Sequence, residues 1–318
     1  MPEGSAQLLT YRGEAIDSAL LGELHDASSA LGDREALHRG MARDGYLYLP
    51  GFLDREEVMA ARMSVLSRLS ARGLIDHSHP LEEGVLKPGI ETSFSPDLAR
   101  DNPELEAVVY SGRMIEFYEL FLGGPVRHFD YTWFRAKSPN SANATQPHCD
   151  IVFMGRGTRN LYTSWTPLQD IPHGMGGLMI LEGSHLREEI LDDYARTDVD
   201  AYCDEGEAAA IVARARAENR QLTAEERGGI RWDSRGHFAD ALGLRQQLGG
   251  RWLTAEFGMG DLLVFSMFTM HASTDNHTRR IRLSSDTRYQ LASEPVDERW
   301  VGEDPPAHGI HSKRGLIC

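Results

Sequence analysis

The sequence predicts a mainly β protein with supporting α-helices, built as a two-sheet jelly roll. Three observations lead to this fold class. Roughly eight short strand-like segments are separated by Gly, Pro and Asn residues, and most of them follow residue 125. Helical periodicity is concentrated before that point. One charged insertion, at about 186–250, interrupts the strands. Short strands with helices gathered at one end are typical of a jelly roll with helical support.

The N-terminal part is predicted to form helices around one strand. Residues 34–43 have a helical pattern and lead into an apolar strand at 46–49. Asp54 is followed three residues later by Glu57, as in a capping box at a helix start. Apolar residues then recur on one helical face, which predicts that this second helix packs on a sheet.

After a third predicted helix, the spacing of apolar residues changes from one typical of helices to one typical of strands. Residues 76–100 are predicted to form a long loop that borders a substrate pocket, and the third helix follows at 102–122. In the insertion, 205–222 is predicted to be helical, either as a surface excursion or as a lid over the pocket. The predicted strands are 46–49, 126–136, 147–154, 161–170, 177–182, 252–257, 261–267 and 280–290.

Composition excludes several classes of protein. The 318 residues, 41% of them hydrophobic, are enough for one large core, and we expect a single domain over 1–318 with its core at about 40–300. The formal net charge of -15 argues against a nucleic-acid or anionic-membrane surface but leaves a local basic pocket open. Three cysteines without metal-like spacing, no signal peptide and no apolar span predict a soluble cytoplasmic protein. The oligomeric state cannot be read from the sequence.

A candidate metal site lies at Gln146-Pro147-His148-Cys149-Asp150. In an extended strand, side chains at positions i and i+2 leave the same face, so His148 and Asp150 can present an imidazole nitrogen and a carboxylate oxygen to one point. His271, which follows the apolar strand at 261–267, is the candidate for a third ligand. Two histidines and one carboxylate are the ligand set of non-haem Fe(II) oxygenases.

A candidate anion-binding arginine follows the third ligand. Arg282 lies eleven residues after His271, on the next predicted strand. A buried arginine needs a partner, and a guanidinium binds a carboxylate through two parallel hydrogen bonds. Arg280 lies on the same strand face and could compete for this role, although a solvent-facing position at the strand start is the simpler expectation.

The chain resembles the phytanoyl-CoA dioxygenase (PhyH) family of Fe(II)- and 2-oxoglutarate-dependent oxygenases. The resemblance lies in an ordered set of motifs: His148-Cys149-Asp150, Trp165-Thr166-Pro167-Leu168-Gln169-Asp170, Gly176-Gly177-Leu178, Glu182-Gly183-Ser184-His185, His271 and Arg282-Leu283-Ser284. The resemblance covers roughly residues 40 to 300. It implies a double-stranded β-helix, a cupin-like jelly roll, with iron on His148, Asp150 and His271. It further implies that 2-oxoglutarate chelates the iron and that its distal carboxylate binds Arg282. The candidates for further contacts with 2-oxoglutarate are Gln146, Thr163, Trp165 and Ser284.

The resemblance implies an enzyme that uses Fe(II), 2-oxoglutarate and O2 to oxidise, most simply to hydroxylate, an aliphatic C–H bond of a small organic molecule. Asp150 disfavours halogenation, since halogenating members carry a small residue there. The sequence has no evident basic cluster for the phosphates of coenzyme A, which favours a secondary metabolite or amino-acid-like substrate. Two alternatives stay open: a cupin-type metal-dependent dioxygenase or isomerase that does not use 2-oxoglutarate, and a non-catalytic jelly-roll binding protein.

Overall fold

A computed structural model describes residues 9–232, 240–314 and 316–317. The strands, numbered in chain order over these residues, are β1 (Thr10–Tyr11), β2 (Glu14–Ala15), β3 (Leu21–Glu23), β4 (Tyr46–Leu49), β5 (Val126–His128), β6 (Trp133–Lys137), β7 (Tyr162–Pro167), β8 (Leu178–Leu181), β9 (Trp252–Thr254), β10 (Leu262–Ser266), β11 (His271–Ser273) and β12 (Arg282–Leu291). The helices are α1 (Arg34–Asp44), α2 (Arg55–Ala71), α3 (Pro103–Val109), α4 (Gly112–Leu122), α5 (Ile151–Met154), α6 (Glu188–Leu191), α7 (Val199–Asp204), α8 (Gly206–Ala217), α9 (Ala224–Ile230), α10 (Ala241–Leu248) and α11 (Ile310–Lys313).

Two sheets form the framework. The larger sheet has the order β4-β10-β7-β12-β5, with β6 also paired to β12, and its pairs are antiparallel. The smaller sheet has the order β11-β8-β9-β3, in which only the β3–β9 pair is parallel. This arrangement of two sheets supported by helices confirms the predicted fold class.

Alternation of side chains along the larger sheet separates two apolar layers. On β4, Tyr46 and Tyr48 point into the cluster shared with the smaller sheet, whereas Leu47 and Leu49 point into the cluster that holds α1 to α4. The strand β10 repeats this pattern, since Leu263 belongs to the first cluster and the residues on either side of it to the second. The space between the sheets is therefore the inner face of the molecule, and the helices cover the outer face of the larger sheet.

The predicted N-terminal helices are confirmed, with one break. Asp54 accepts hydrogen bonds from the backbone N–H groups of Glu56 and Glu57 and so caps the start of α2. Asn102 caps α3 in the same way. The third predicted helix is interrupted at Tyr110 and continues as α4 after Ser111.

The prediction of a continuous strand at 147–154 is wrong. His148 forms a single antiparallel bridge with His271, and the chain then turns because Asp150 adopts helical backbone angles at the start of α5. The backbone N–H of Ile151 donates to the Met267 carbonyl at 3.0 Å, which fixes this turn against the end of β10. The predicted strand at 126–136 is also divided, into β5 and β6.

The insertion contains α6 to α10 and joins the main apolar core. Tyr194, Cys203 and Leu244 belong to the same cluster as Cys149 and Trp252. The helix predicted at 205–222 is confirmed in part by α8. Residues 233–239, also within the insertion, lie outside the described residues. Within the described residues, no helix is both long and apolar enough to cross a bilayer. The single-domain boundary at 1–318 stays a prediction.

Candidate metal centre

The structure brings His148, Asp150 and His271 together. The two histidines lie directly opposite each other, because each backbone N–H donates to the carbonyl of the other at 3.0 Å. Residues that are directly paired between antiparallel strands project on the same face, and the ring centroids are 4.2 Å apart. The helical turn after His148 then directs Asp150 toward both rings. One potential ligand atom from each residue lies within 4.8 Å of the other two.

Backbone carbonyls fix which imidazole nitrogen faces the centre. Nδ1 of His148 lies 2.8 Å from the Gln146 carbonyl, and Nδ1 of His271 lies 3.0 Å from the Thr269 carbonyl. Each Nδ1 therefore carries the proton it donates, which leaves each Nε2 with a free lone pair. Both Nε2 atoms lie 3.8 Å from Oδ1 of Asp150. Two neutral imidazole nitrogens and one carboxylate oxygen fit a divalent iron ion.

The second carboxylate oxygen of Asp150 is held away from the histidines. Arg288 donates from Nη2 to Oδ2 at 2.9 Å, and Thr163 donates from Oγ1 to the same oxygen. Burial raises the pKa of Asp150, but Arg288, the two histidines and Thr163 outweigh it and hold this pKa below its usual value. Asp150 therefore stays ionised and presents Oδ1 alone to the metal position.

Burial keeps the histidines neutral as well. Loss of solvation lowers the pKa of His148 to about 3, and the neighbouring His271 adds to the effect. The pKa of His271 is also lowered, again mainly by burial. All three candidate ligands are thus in the protonation state that binds a metal ion at neutral pH.

One face of β12 supplies most of the polar lining around these ligands. Arg282, Ser284, Asp286 and Arg288 are two residues apart along the strand and so share the inner face. Strands on both sides add to this face, because directly paired residues project together. Lys137 and Arg135 on β6 are paired with Arg282 and Ser284. Trp165 and Thr163 on β7 are paired with Asp286 and Arg288.

Arg282 is buried without a carboxylate. Its side chain is 1% exposed, and its Nη1 donates to Ser284 Oγ. Its Nε has no hydrogen-bond partner, and no carboxylate oxygen of the described residues lies within ion-pair distance. Burial lowers the pKa of Arg282 to about 10, and the nearby Arg135 lowers it further. An unpaired buried guanidinium is costly, which makes Arg282 a candidate for binding an anionic ligand.

The remaining predicted residues lie at or near the same place. Trp165 borders the small recess around Arg282 and packs edge-on against Phe257, with ring centroids 4.6 Å apart. Gln146 lines the adjoining pocket and contributes its carbonyl to His148. The hydroxyls of Thr163 and Ser284 are engaged by Asp150 and Arg282 respectively, and their contact with 2-oxoglutarate stays a prediction. Arg280 is exposed, as expected for a strand start.

Sequence reasoning missed four charged residues of this face: Arg135, Lys137, Asp286 and Arg288. Lys137 is 5% exposed and donates from Nζ to Ser273 Oγ and the Thr274 carbonyl, both at 2.8 Å. Burial drives the pKa of Lys137 well below its usual value, and Arg282 contributes in the same direction. The signal for the two residues on β12 was present in the sequence, since they continue the spacing of two that begins at Arg282.

A pocket of about 540 Å³ opens in front of the metal position. It shares Arg135, Thr145, His148 and Arg288 with the recess around Arg282, which measures about 20 Å³. Arg231 and Trp232 of the insertion also line this pocket, so the insertion borders the site. Closure of the insertion as a lid stays a prediction.

Comparison with known families identifies the chain. The family model for phytanoyl-CoA dioxygenase (PhyH) matches residues 41–284, which is more than half of the chain. The chain belongs to the PhyH family. This membership agrees with the His, Asp, His cluster and the two-sheet fold, and the protein is an Fe(II)- and 2-oxoglutarate-dependent dioxygenase.

Two relatives of this PhyH protein are hydroxylases by name. It is 28% identical over 285 residues to a 1-deoxypentalenic acid 11-beta-hydroxylase of Streptomyces exfoliatus, covering 86% of this chain and 87% of the relative. An enzyme of the same name from Streptomyces arenae is also 28% identical, over 84% of this chain and 85% of the relative.

Solved structures share the fold. The 2-oxoglutarate-dependent carbocyclase SnoK of nogalamycin biosynthesis has a TM-score of 0.55 at 19% identity, covering 91% of this chain and 94% of SnoK. The epimerase SnoN, in a complex with Fe3+, α-ketoglutarate and nogalamycin RO, has a TM-score of 0.52 at 21% identity. That match covers 86% of this chain and 94% of SnoN.

Proposed function

We propose that this PhyH protein hydroxylates an aliphatic C–H bond of a small molecule of secondary metabolism. In this proposal His148, Asp150 and His271 bind Fe(II), and Arg282 binds the distal carboxylate of 2-oxoglutarate. The observation that supports it most directly is the position of Arg282. This buried guanidinium lies on the same sheet face as the metal cluster and has no carboxylate partner among the residues that the structure describes. A dicarboxylate cosubstrate supplies the missing anion.

The residues of the proposed site have separate parts in this reaction. When bound, iron and 2-oxoglutarate together activate O2 for oxidation of the substrate C–H bond. The backbone carbonyls of Gln146 and Thr269 hold the two imidazole rings with Nε2 toward the metal. Arg288 and Thr163 keep Asp150 ionised and direct one of its oxygens at the metal. The pocket in front of these ligands positions the substrate carbon.

The substrate class is supported by the relatives and by the pocket. The Streptomyces relatives act, by name, on 1-deoxypentalenic acid. The pocket of about 540 Å³ lies in the range of small-molecule sites. Because Asp150 supplies the carboxylate that halogenating members lack, we propose hydroxylation and not halogenation. We also propose a small molecule and not an acyl-CoA, on the size of this pocket and not on its charge, because basic side chains do line it. A tight acyl-CoA complex in titration calorimetry would contradict this.

Spectroscopy of the iron complex tests this function. Anaerobic addition of Fe(II) and then 2-oxoglutarate to the full chain should produce the weak visible charge-transfer band of the chelate. The variant Asp150→Ala plus His271→Ala should lose the band. A matched control, His77→Ala plus Asp304→Ala, changes exposed residues of the same two types and should keep it. Succinate release across a panel that includes 1-deoxypentalenic acid then measures turnover.

The outcomes separate the alternatives. Binding of Fe(II) without the 2-oxoglutarate band in wild type would favour a cupin-type dioxygenase or isomerase that does not use 2-oxoglutarate. Failure to bind either ligand would favour a non-catalytic jelly-roll protein. Persistence of the band in the Asp150→Ala plus His271→Ala variant would refute the assignment of the ligands.

A further inference from the structure

The pocket is cationic although the chain is acidic. The formal net charge is -15, yet the described residues that line the pocket and the Arg282 recess include six arginine and lysine side chains and two carboxylates. The carboxylates belong to Asp150 and Asp286. The cationic residues come from distant parts of the sequence: Arg12, Arg135, Lys137, Arg231, Arg282 and Arg288. The sequence therefore showed no basic cluster, whereas the fold assembles one.

Iron and 2-oxoglutarate do not account for this excess. This step rests on the proposed function: Fe(II) carries two positive charges and 2-oxoglutarate two negative charges, so their joint arrival leaves the formal charge of the pocket unchanged. Arg288 is paired with Asp150, and Arg282 is assigned to the cosubstrate. Cationic side chains remain that neither ligand neutralises, and clefts lined by one sign of charge attract ligands of the other sign.

Arg135 is the best placed of the remaining cations. It lines both the pocket and the recess, and its side chain is 24% exposed. Among the described residues its nearest carboxylate is that of Asp286, with which it forms an ion pair; Oδ2 lies 3.7 Å from Nε, which is too long for a hydrogen bond. No acceptor among the described residues takes a hydrogen bond from its guanidinium, which lies 5.6 Å from the Phe94 ring centre. Its donors are thus available to a ligand in the pocket.

The rest of the wall is apolar. Phe94, Trp133, Phe153, Met154 and Trp232 line the same pocket. We propose that the substrate is a carboxylate carried on a compact aliphatic skeleton, with its carboxylate on Arg135 and its skeleton against these apolar side chains. One planar guanidinium matches one carboxylate in charge and in the spacing of its two donors. A phosphate monoester carries nearly twice that charge, which one guanidinium that already has Asp286 nearby matches less well. Arg12, exposed at the pocket wall, attracts the anion on entry.

Matched acids and esters test the proposal. Full-length protein loaded anaerobically with Fe(II) and saturating 2-oxoglutarate is titrated calorimetrically with cyclohexanecarboxylate, adamantane-1-carboxylate and abietate, and with the methyl ester of each. A charge-assisted pair of hydrogen bonds predicts that at least one acid binds about 10- to 100-fold more tightly than its ester. Arg135→Gln should remove this preference and leave the affinity for the ester unchanged. Arg280→Gln, which changes an exposed arginine two residues before β12, is the matched control and should keep it.

Each outcome decides between the claims. The substrate proposal is overturned if no acid binds more tightly than its ester, or if Arg135→Gln weakens acid and ester equally. The charge-transfer band is recorded in every sample, so displacement of 2-oxoglutarate by the acid is detected directly. Absence of the band in wild type refutes the proposed function itself. A normal band without a preference for the acid refutes only the inference about the substrate.

Discussion

Replacing Arg288 with Gln should weaken the metal centre through Asp150. The two side chains are 4% and 2% exposed, and their ion pair is 2.9 Å long. The Arg288 guanidinium also lies 4.0 Å from the Trp133 ring centre, so water has little access to it. Loss of one partner leaves the other charge buried and unpaired, which costs about 3–5 kcal/mol of folding free energy.

Arg288→Gln should lower the affinity for Fe(II) as well as the free energy of unfolding. Without Arg288, Asp150 takes up a proton more readily and loses the group that directs Oδ1 toward the histidines. Loss of a group that orients a metal ligand typically weakens metal binding about 10- to 100-fold. Anaerobic Fe(II) titration at pH 7 measures this change, and urea unfolding of the metal-free protein measures the loss of stability. Arg288→Lys retains the charge, so its Fe(II) affinity and its stability should lie between those of Arg288→Gln and wild type.

A double-mutant cycle tests the reasoning. Asp150→Asn alone leaves Arg288 unpaired, whereas the double variant with Arg288→Gln leaves no buried charge at this position. The double variant should therefore be more stable than the sum of the two single changes predicts, by about 1–3 kcal/mol. Additive losses, or wild-type stability and metal affinity in Arg288→Gln, would refute the role assigned to Arg288.

Three further predictions follow from the site and its support. Arg282→Gln should raise the 2-oxoglutarate concentration for half-maximal chelate absorbance about 10- to 100-fold without changing Fe(II) affinity, whereas Arg280→Gln should change neither. Burial lowers the pKa of His148 to about 3, so below pH 6.5 the unfolded chain binds more protons than the folded chain. The metal-free protein should therefore lose about 2 kcal/mol of stability between pH 7 and pH 5. His148→Phe should flatten the plot of the urea midpoint against pH over this range. Gly45→Ala should lower the melting temperature, because Gly45 has φ 77° and an added Cβ would lie 2.5 Å from the His185 ring.

The ligand set was predictable from the sequence because its signals are local. His148 and Asp150 are two residues apart, and His271 follows a strongly apolar strand. The backbone structure that positions these residues differs from the predicted one. We predicted that a strand at 147–154 would place both ligands on one face, whereas a single bridge and a helical turn place them. A run of β-formers such as Ile151-Val152-Phe153 does not form a strand when its hydrogen-bond partners are lacking, and this dependence on distant pairing cannot be read locally.

The cationic pocket was not predictable for the opposite reason. Arg12, Arg135 and Arg231 are far apart in the sequence, and only the packing of sheets and insertion brings them to one cavity. The net charge of -15 describes the average surface and hides such a local concentration. Arg288 is an intermediate case. Its spacing of two from Arg282 was visible, but its partner Asp150 lies 138 residues away.

The alternation along β12 limits how this protein can change. Arg282, Asp286 and Arg288 depend on one strand register, because neighbouring residues of the strand face the α-helices instead. Insertion or deletion of a single residue near the middle of β12 would move some of these charges into the helical layer and bring apolar groups to the iron. Substrate range can therefore vary by side-chain exchange on the pocket wall and by length changes in the loop at 76–100 and the insertion at 186–250, which border the pocket without carrying the metal ligands.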